Sequence, residues 1–234
     1  DVLLENNGTL DKYIGDAIVA FYGAPIEVDD HELWACRTAI EMLEKLAILR
    51  KGWRAEGDRW PDIVHNMQNR IGISSGQMVT GNMGSEARMN YTMMGDNVNT
   101  AARLESSAKQ YGVYIQIADS TYQPVKDRVV VRDLDNVRVL GKNEPVKVWE
   151  LISEKGKEPE SYKKILPAYH EALDLYKNQE WSKAIEAFKA SDALEEMFGG
   201  RKTNPSRIYI PRCEHYLDNP PGDKWDGVWT LTSK

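Results

Sequence analysis

The sequence predicts an α+β protein in which helices pack against one sheet, followed by a small helical tail. Short β-rich runs alternate with segments of helical spacing, and their order is compatible with a ferredoxin-like βαββαβ arrangement. A polar segment then leads into a region that has helical patterns only. With 234 residues, 41% hydrophobic and 28% charged, the chain has the composition of an ordinary folded protein.

The stretch DKYIGDAIVAFYGAP, residues 11–25, contains the first predicted core strand. The run from Ile18 to Tyr22 is continuously apolar, which predicts a buried strand. Lys12 and Asp16 come just before this run, although charged side chains are rare in protein interiors. Such residues are either solvated at the rim of the core or kept there for chemistry.

The following segments alternate between helix and strand. From Asp29 to about Arg54 the apolar residues recur at helical spacing. Residues 69–84, NRIGISSGQMVTGNMG, predict a strand, a glycine-centred turn and a second short strand. The segment YTMMGDNVNTAARLESSAKQYG changes from a loop into a helix that ends near Gly112. Three more β-rich runs, VYIQIAD, VVVRDLDNVRVL and VKVWELI, complete a main domain at residues 1–152.

Residues 153–160, SEKGKEPE, are predicted to be a linker to a tail at residues 161–234. Two helical patterns in the tail, separated at Asn178-Gln179, resemble one tetratricopeptide unit. One unit cannot bury its own apolar face, so we expect it to pack on the main domain or on a partner. The tryptophan-rich end of the chain is predicted to fold back as a clasp.

Composition excludes several classes of protein. The net charge of −6 and the lack of a basic cluster argue against nucleic-acid binding. No apolar run is long enough to cross a bilayer, and the two cysteines are expected to be reduced thiols. We therefore expect a cytoplasmic protein, or the cytoplasmic part of a membrane-anchored one. An upstream regulatory domain remains open, because the chain begins at Asp1 without a methionine.

Standard catalytic and phosphate-binding motifs are absent, and the histidines have no metal-ligand spacing. What remains is Lys12-x-x-Gly15-Asp16 before the first strand, together with Asn99 and Arg103, which are four apart and share a helix face. Taken singly, these residues have ordinary explanations: a solvated lysine, a turn aspartate and a hydrogen-bonded surface pair. Taken together, they combine a carboxylate suited to Mg²⁺ with a guanidinium suited to phosphate.

Four segments resemble the catalytic domain of class III adenylate and guanylate cyclases: DKYIGDAIVAFYGAP, RIGISSGQMVTGNMGS, NYTMMGDNVNTAARLE and VRVLGKNEPVKVWEL. The resemblance covers roughly residues 1–152 and implies the ferredoxin-like cyclase homology domain, with one strand expected upstream of Asp1. The tail is similar to those that follow such domains in bacterial multidomain cyclases. Thr92 resembles the residue of the subclass that contains soluble, bicarbonate-responsive adenylate cyclases.

The resemblance implies conversion of ATP to cyclic AMP with two Mg²⁺ or Mn²⁺ ions. Lys12 and Thr92 match the pair that recognises adenine, and Asp16 matches the second of two metal-binding aspartates. Asn99 matches the residue that orients the ribose, and Arg103 matches the residue that stabilises charge on the reacting phosphate. Lys142 matches the lysine that holds the terminal phosphates. The first metal-binding aspartate is expected on the upstream strand and is not in this sequence.

The resemblance also implies a homodimer with two equivalent sites at its interface. One protomer supplies the metal-binding aspartates, and the other supplies the residues that bind the base and stabilise the transition state. Two other functions remain open: a catalytically silent cyclase-like module that binds nucleotide or dimerises in signalling, and a peptide-binding scaffold formed by the tail. The retained set of Lys12, Asp16, Asn99 and Arg103 argues against a silent module.

Overall fold

The chain begins with a one-turn helix, α1 (Val2–Glu5), and an antiparallel hairpin of strands β1 (Thr9–Ile14) and β2 (Ala17–Phe21). The hairpin turn contains Gly15, whose φ of +61° is a left-handed conformation that glycine adopts without steric cost. These elements belong to a computed structural model that describes residues 1–137, 146–195 and 201–229.

The first hairpin is much less buried than its apolar sequence predicts. Ile18 on β2 is 51% exposed and Ile14 on β1 is 61% exposed, whereas Phe21 is buried. The prediction of a buried strand from Ile18 to Tyr22 is therefore wrong in this structure. The reason is that β1 and β2 form a two-stranded sheet of their own, so no other described strand extends it.

A four-stranded sheet lies at the centre of the main domain, in the order β3-β6-β8-β7. Strand β3 runs parallel to β6, and the other two pairings are antiparallel. A second separate hairpin is formed by β4 and β5. The elements from α2 to β8 are, in chain order, α2 (His31–Ala55), α3 (Asp62–His65), β3 (Ile71–Ile73), β4 (Val79–Ser85), β5 (Arg88–Met94), α4 (Asp96–Tyr111), β6 (Ile115–Ala118), α5 (Asp119–Val125), β7 (Val129–Val137) and β8 (Val146–Glu154).

Helices α2 and α4 pack on opposite faces of strand β6. Residues of α2 join a buried cluster with Ile115 and Ile117. On α4, the Ser107 hydroxyl donates to the side-chain oxygen of Gln116 at 2.6 Å. Because alternate residues of a strand point to opposite faces, these contacts place the two helices on either side of the sheet. The fold is thus the mixed α+β arrangement that the sequence predicts.

The tail consists of three helices, α6 (Tyr162–Lys177), α7 (Trp181–Leu194) and α8 (Pro205–Asp218). The first two match the predicted helical patterns, whereas α8 was not predicted. Its sequence contains two prolines, but Pro205 occupies the first helical turn, where no backbone N–H is needed. After α8 the chain turns back, and the Trp225 ring lies 5.1 Å from that of Tyr176.

The tail docks on the main domain through buried charged and polar groups. Arg132 on β7 is fully buried and pairs with Glu150 on β8 and with Glu195 at the end of α7. A little further along β7, Asp135 accepts a hydrogen bond from the Tyr111 hydroxyl at 2.6 Å and one from Arg212 of α8 at 2.7 Å. Tyr111 is the last residue of α4, so the tail contacts the helix that carries Asn99 and Arg103.

None of the described helices combines the length and apolar character that spanning a bilayer requires.

Candidate active site

The two residues predicted to read the base meet where the first and second hairpins approach each other. The Lys12 ammonium donates a hydrogen bond to the Thr92 hydroxyl at 3.1 Å. Lys12 is on β1 and Thr92 is on β5, 80 residues later in the chain. The neighbouring rings of Phe21 and Tyr91, with centroids 6.1 Å apart, also join the two hairpins.

A third residue, Asp11, belongs to the same contact and was not predicted. Its carboxylate accepts a hydrogen bond from the Thr92 hydroxyl at 2.8 Å and lies 3.5 Å from the Lys12 ammonium. The cause is a β-bulge: Leu10 pairs with Ala20 and Lys12 pairs with Val19, which leaves Asp11 as the extra residue. A bulge redirects side chains, so two consecutive residues reach the same partner.

Asn99 and Arg103 lie on α4, which is separated from the end of β5 by Gly95 alone. Both are exposed, and with Ala102, Ser106, Ser107 and Gln110 they line an open depression of about 420 Å³. The expectation that Asn99 and Arg103 share a helix face is therefore met. This arrangement presents an amide and a guanidinium side by side, which is suited to binding oxygen-rich groups such as ribose and phosphate.

The position of α4 is set by close packing against β3. A Cβ atom added at Gly72 would lie 2.1 Å from the Ala101 carbonyl oxygen and 2.4 Å from the Glu105 nitrogen. Only glycine allows the strand and the helix backbone to approach this closely. At the start of α4, the Asn97 side chain accepts a hydrogen bond from the Ser74 hydroxyl at 3.0 Å. These contacts hold the helix turn that presents Asn99.

Asp16 lies in the exposed turn between β1 and β2, just before β2 rather than inside a strand. An exposed carboxylate is a suitable ligand for Mg²⁺, which takes one or two carboxylates and completes its shell with water and substrate phosphates. Over the described ranges, no three histidine, cysteine, aspartate or glutamate side chains are grouped so as to hold a metal ion. The residues present therefore fit one protein ligand and not a complete metal site.

The predicted site residues thus fall into three places. Lys12 and Thr92 are in direct contact, Asn99 and Arg103 share one depression, and Asp16 stands at the hairpin turn. Lys142, the predicted phosphate-binding lysine, lies outside the described residues. Alternation along a strand would point Asp11 away from Lys12, so the sequence carried no signal for its role.

The described site is thus an α+β domain with a lysine–threonine pair on two neighbouring hairpins and an asparagine–arginine pair on the following helix. The family model described as the adenylate and guanylate cyclase catalytic domain matches residues 2–153. The chain therefore belongs to the adenylate and guanylate cyclase family.

Known relatives include both kinds of cyclase. The terminal-differentiation-specific adenylate cyclase of Dictyostelium discoideum is 31% identical over 216 residues, which cover 90% of this chain and 10% of that protein. Among solved structures, the adenylyl cyclase CyaB from P. aeruginosa is 31% identical with a TM-score of 0.56, covering 68% of this chain and 78% of that one. The guanylyl cyclase Cya2 is also 31% identical with a TM-score of 0.56, covering 67% and 76%.

The chain spans only a tenth of the length of the Dictyostelium relative. The adenylyl and guanylyl cyclase structures are equally similar to it, so overall similarity does not decide which nucleotide it uses.

Proposed function

We propose that this chain is the catalytic domain of an adenylate cyclase, which converts ATP to 3′,5′-cyclic AMP and pyrophosphate. We infer ATP as the substrate from the contact between Lys12 and Thr92. A lysine donor beside a threonine oxygen is complementary to the adenine edge, which offers a ring-nitrogen acceptor beside an amino donor.

In this proposal the ribose 3′-hydroxyl gives up its proton to solvent and its oxygen bonds to the α-phosphorus of ATP, while the bond from the α-phosphorus to the bridging oxygen breaks and pyrophosphate leaves. Asn99 orients the ribose through its amide, and Arg103 stabilises the negative charge that builds up on the reacting phosphate. Preorganised charge of this kind is commonly the largest contribution to catalysis. Lys142 is assigned to the terminal phosphates.

Members of this family generally use divalent metals, and Asp16 is the residue that would hold them in this chain. Two Mg²⁺ or Mn²⁺ ions supply charge neutralisation on the phosphates and activation of the attacking hydroxyl when bound. The first metal-binding aspartate that the family resemblance implies is not among these 234 residues. Asp16 is exposed at a tight turn and is therefore accessible to a nucleotide that carries its metal.

We further propose that the active form is a homodimer whose sites combine residues of both protomers. Large apolar side chains on the two hairpins are exposed, which supports an interface there. They include Tyr13 at 66%, Ile14 at 61%, Ile18 at 51%, Met89 at 61% and Met94 at 61%. Because a two-fold interface is self-complementary, one contact surface creates two equivalent sites.

The alternative is a catalytically silent module that binds nucleotide or dimerises. The observation in its favour is that, in the described part of the chain, only one aspartate stands at the assigned metal position. The two functions differ in whether any product forms.

The test is product formation by the protein, expressed with whatever residues precede Asp1 in its natural gene product. We expect cyclic AMP from ATP in the presence of Mg²⁺ or Mn²⁺, measured by liquid chromatography, and less cyclic GMP from GTP. Asp16→Asn should abolish turnover, whereas the matched control Asp62→Asn, at a fully exposed aspartate, should not. Nucleotide binding without any cyclic product would favour the silent module.

A further inference from the structure

Asp11 is a buried acidic residue to which the proposed function gives no role. Its side chain is only 3% exposed, and its Oδ2 atom accepts a hydrogen bond from the Thr92 hydroxyl at 2.8 Å. Its other oxygen, Oδ1, is buried and has no hydrogen-bond partner among the described residues. An unsatisfied buried oxygen is costly, so its presence beside the base-reading pair needs an explanation.

The contacts of Thr92 fix where its hydroxyl hydrogen points. A lysine ammonium can only donate hydrogen bonds, so Thr92 must accept the bond from Lys12. A threonine hydroxyl has a single hydrogen, and this hydrogen is given to the Asp11 carboxylate, which can accept it. Thr92 is therefore left with one unused lone pair, and it faces any further partner as an acceptor.

We propose that Asp11 determines base specificity by making Thr92 an obligate acceptor. This inference rests on the proposed function, in which Lys12 and Thr92 read the base. The 6-amino group of adenine is a donor and matches such a threonine, whereas the 6-oxo group of guanine is an acceptor and is repelled. Without Asp11 the threonine hydroxyl is free to rotate and to donate, so it can serve either base.

A purely structural role for Asp11 makes a different prediction. In that role the Asp11 carboxylate, which lies 3.5 Å from the Lys12 ammonium, does no more than hold the lysine in place. Loss of that support would disturb the contact of Lys12 with the base, and it would do so whether or not Thr92 keeps its hydroxyl. The effect of Asp11→Asn on the ATP-over-GTP ratio in a Thr92→Val background therefore separates the roles, because only an effect that acts through the Thr92 hydroxyl disappears there.

The experiment compares Asp11→Asn with wild-type protein by measuring kcat/KM for ATP and for GTP. An amide can donate to Thr92 as well as accept, so we expect the ATP-over-GTP ratio to fall by about tenfold to a hundredfold.

Thr92→Val should lower the ratio similarly, and adding Asp11→Asn to Thr92→Val should change it no further. The exposed control Asp29→Asn should leave the ratio unchanged. An unchanged ratio in Asp11→Asn, with both rates reduced equally, would overturn the proposal.

Two additions keep the outcome decisive. If Asp11→Asn does not fold, as judged by circular dichroism, then Thr92→Ser and Thr92→Val carry the test: serine keeps the hydroxyl and should keep the preference, and valine should lose it. Equilibrium binding of ATP and GTP is measured alongside turnover. If wild-type protein binds ATP more tightly than GTP but makes no cyclic product, the proposed function is refuted. The effect of Asp11→Asn on the ratio of the two binding constants then still tests the inference. Equal binding of both nucleotides by wild-type protein would refute the inference itself.

Discussion

The role proposed for Arg103 needs both the charge of its guanidinium and the planar arrangement of its N–H donors. Arg103→Lys keeps the charge but loses the paired donors. We expect kcat to fall by about a hundredfold or more, as for other donors to a transition-state charge. Because Arg103 is exposed, the unfolding midpoint should not change. The exposed control Arg59→Lys should leave both quantities unchanged, and an undiminished kcat in Arg103→Lys would remove the residue from the mechanism.

For individual residues, the sequence indicates which side chains belong to the candidate site better than it indicates which of them are in contact. Lys12 and Thr92 are 80 positions apart, and only the family resemblance paired them before the structure did. Asp11 was missed because regular strand alternation points consecutive residues to opposite faces. The bulge that overrides this alternation depends on the pairing with β2, which a single strand's sequence does not encode.

Helix α4 links the site to the tail, and its C-terminal residue Tyr111 is the point of contact. Burial raises the pKa of Tyr111 well above its ordinary value, with the nearby Asp135 carboxylate adding to the effect. The hydroxyl therefore remains protonated and donates to Asp135, which also accepts from Arg212. The guanidinium of Arg212 compensates the charge of the buried Asp135 carboxylate, and removing such a partner destabilises the folded state.

Arg212→Met removes one of these donors and leaves the buried Asp135 carboxylate poorly compensated. We expect the free energy of unfolding, measured with urea, to fall by about 3 kcal/mol, as is typical when a buried ion pair loses one partner. The control Arg207→Met lies on the same helix, where Arg207 is 44% exposed and pairs with Asp192. It should cost less than about 1 kcal/mol. Equal losses for the two variants would mean that the contact with Asp135 does not hold the tail in place.

His170 on α6 should make the tail sensitive to acid. Burial lowers the pKa of His170, although the neighbouring Asp133 opposes this effect, and its Nε2 atom accepts a hydrogen bond from the Asp133 amide at 3.4 Å. Arg132, Asp174 and Lys177 also act on its charge. The folded state thus favours neutral histidine more than the unfolded chain does. This contribution is present above the ordinary value of 6.5 and is lost as the pH falls through the lowered pKa.

The measurement is urea unfolding at pH 7.5 and at pH 5.5. We expect wild-type protein to lose more stability between these values than His170→Gln, because glutamine does not titrate. Parallel losses in both proteins would assign the acid sensitivity to other groups.

At the scale of elements, periodicity located the long helices well. The helix predicted from Asp29 to about Arg54 is observed as His31–Ala55, and the one predicted to end near Gly112 ends at Tyr111. Helix α8 was missed because Pro205 and Pro211 suggest turns, although a helix tolerates proline in its first turn. The predicted burial of β2 failed because burial depends on which elements cover a strand, and the separate hairpin leaves Ile18 exposed.

In the whole molecule, the tail and the main domain are joined by buried ionic contacts as well as by apolar packing. Arg132 is fully buried between Glu150 and Glu195, and these carboxylates outweigh the burial that opposes its charge and hold the pKa of Arg132 above its ordinary value. Glu195 also binds Arg201 at 2.8 Å, just beyond α7. Because such contacts need specific geometry, they favour one fixed placement of the tail relative to α4. The dimer that we propose would use a different surface, the exposed apolar side chains of the two hairpins.

Mixing two inactive variants tests the proposed shared cyclase site most directly. Arg103→Ala and Asp16→Ala, each with any residues that naturally precede Asp1, should form almost no cyclic AMP alone, since every site lacks one essential residue. After mixing and exchange, each heterodimer has one doubly defective site and one intact site. Random pairing of equal amounts should therefore restore about a quarter of the wild-type rate. Heterodimers detected by native mass spectrometry with no recovered cyclic AMP would contradict the account.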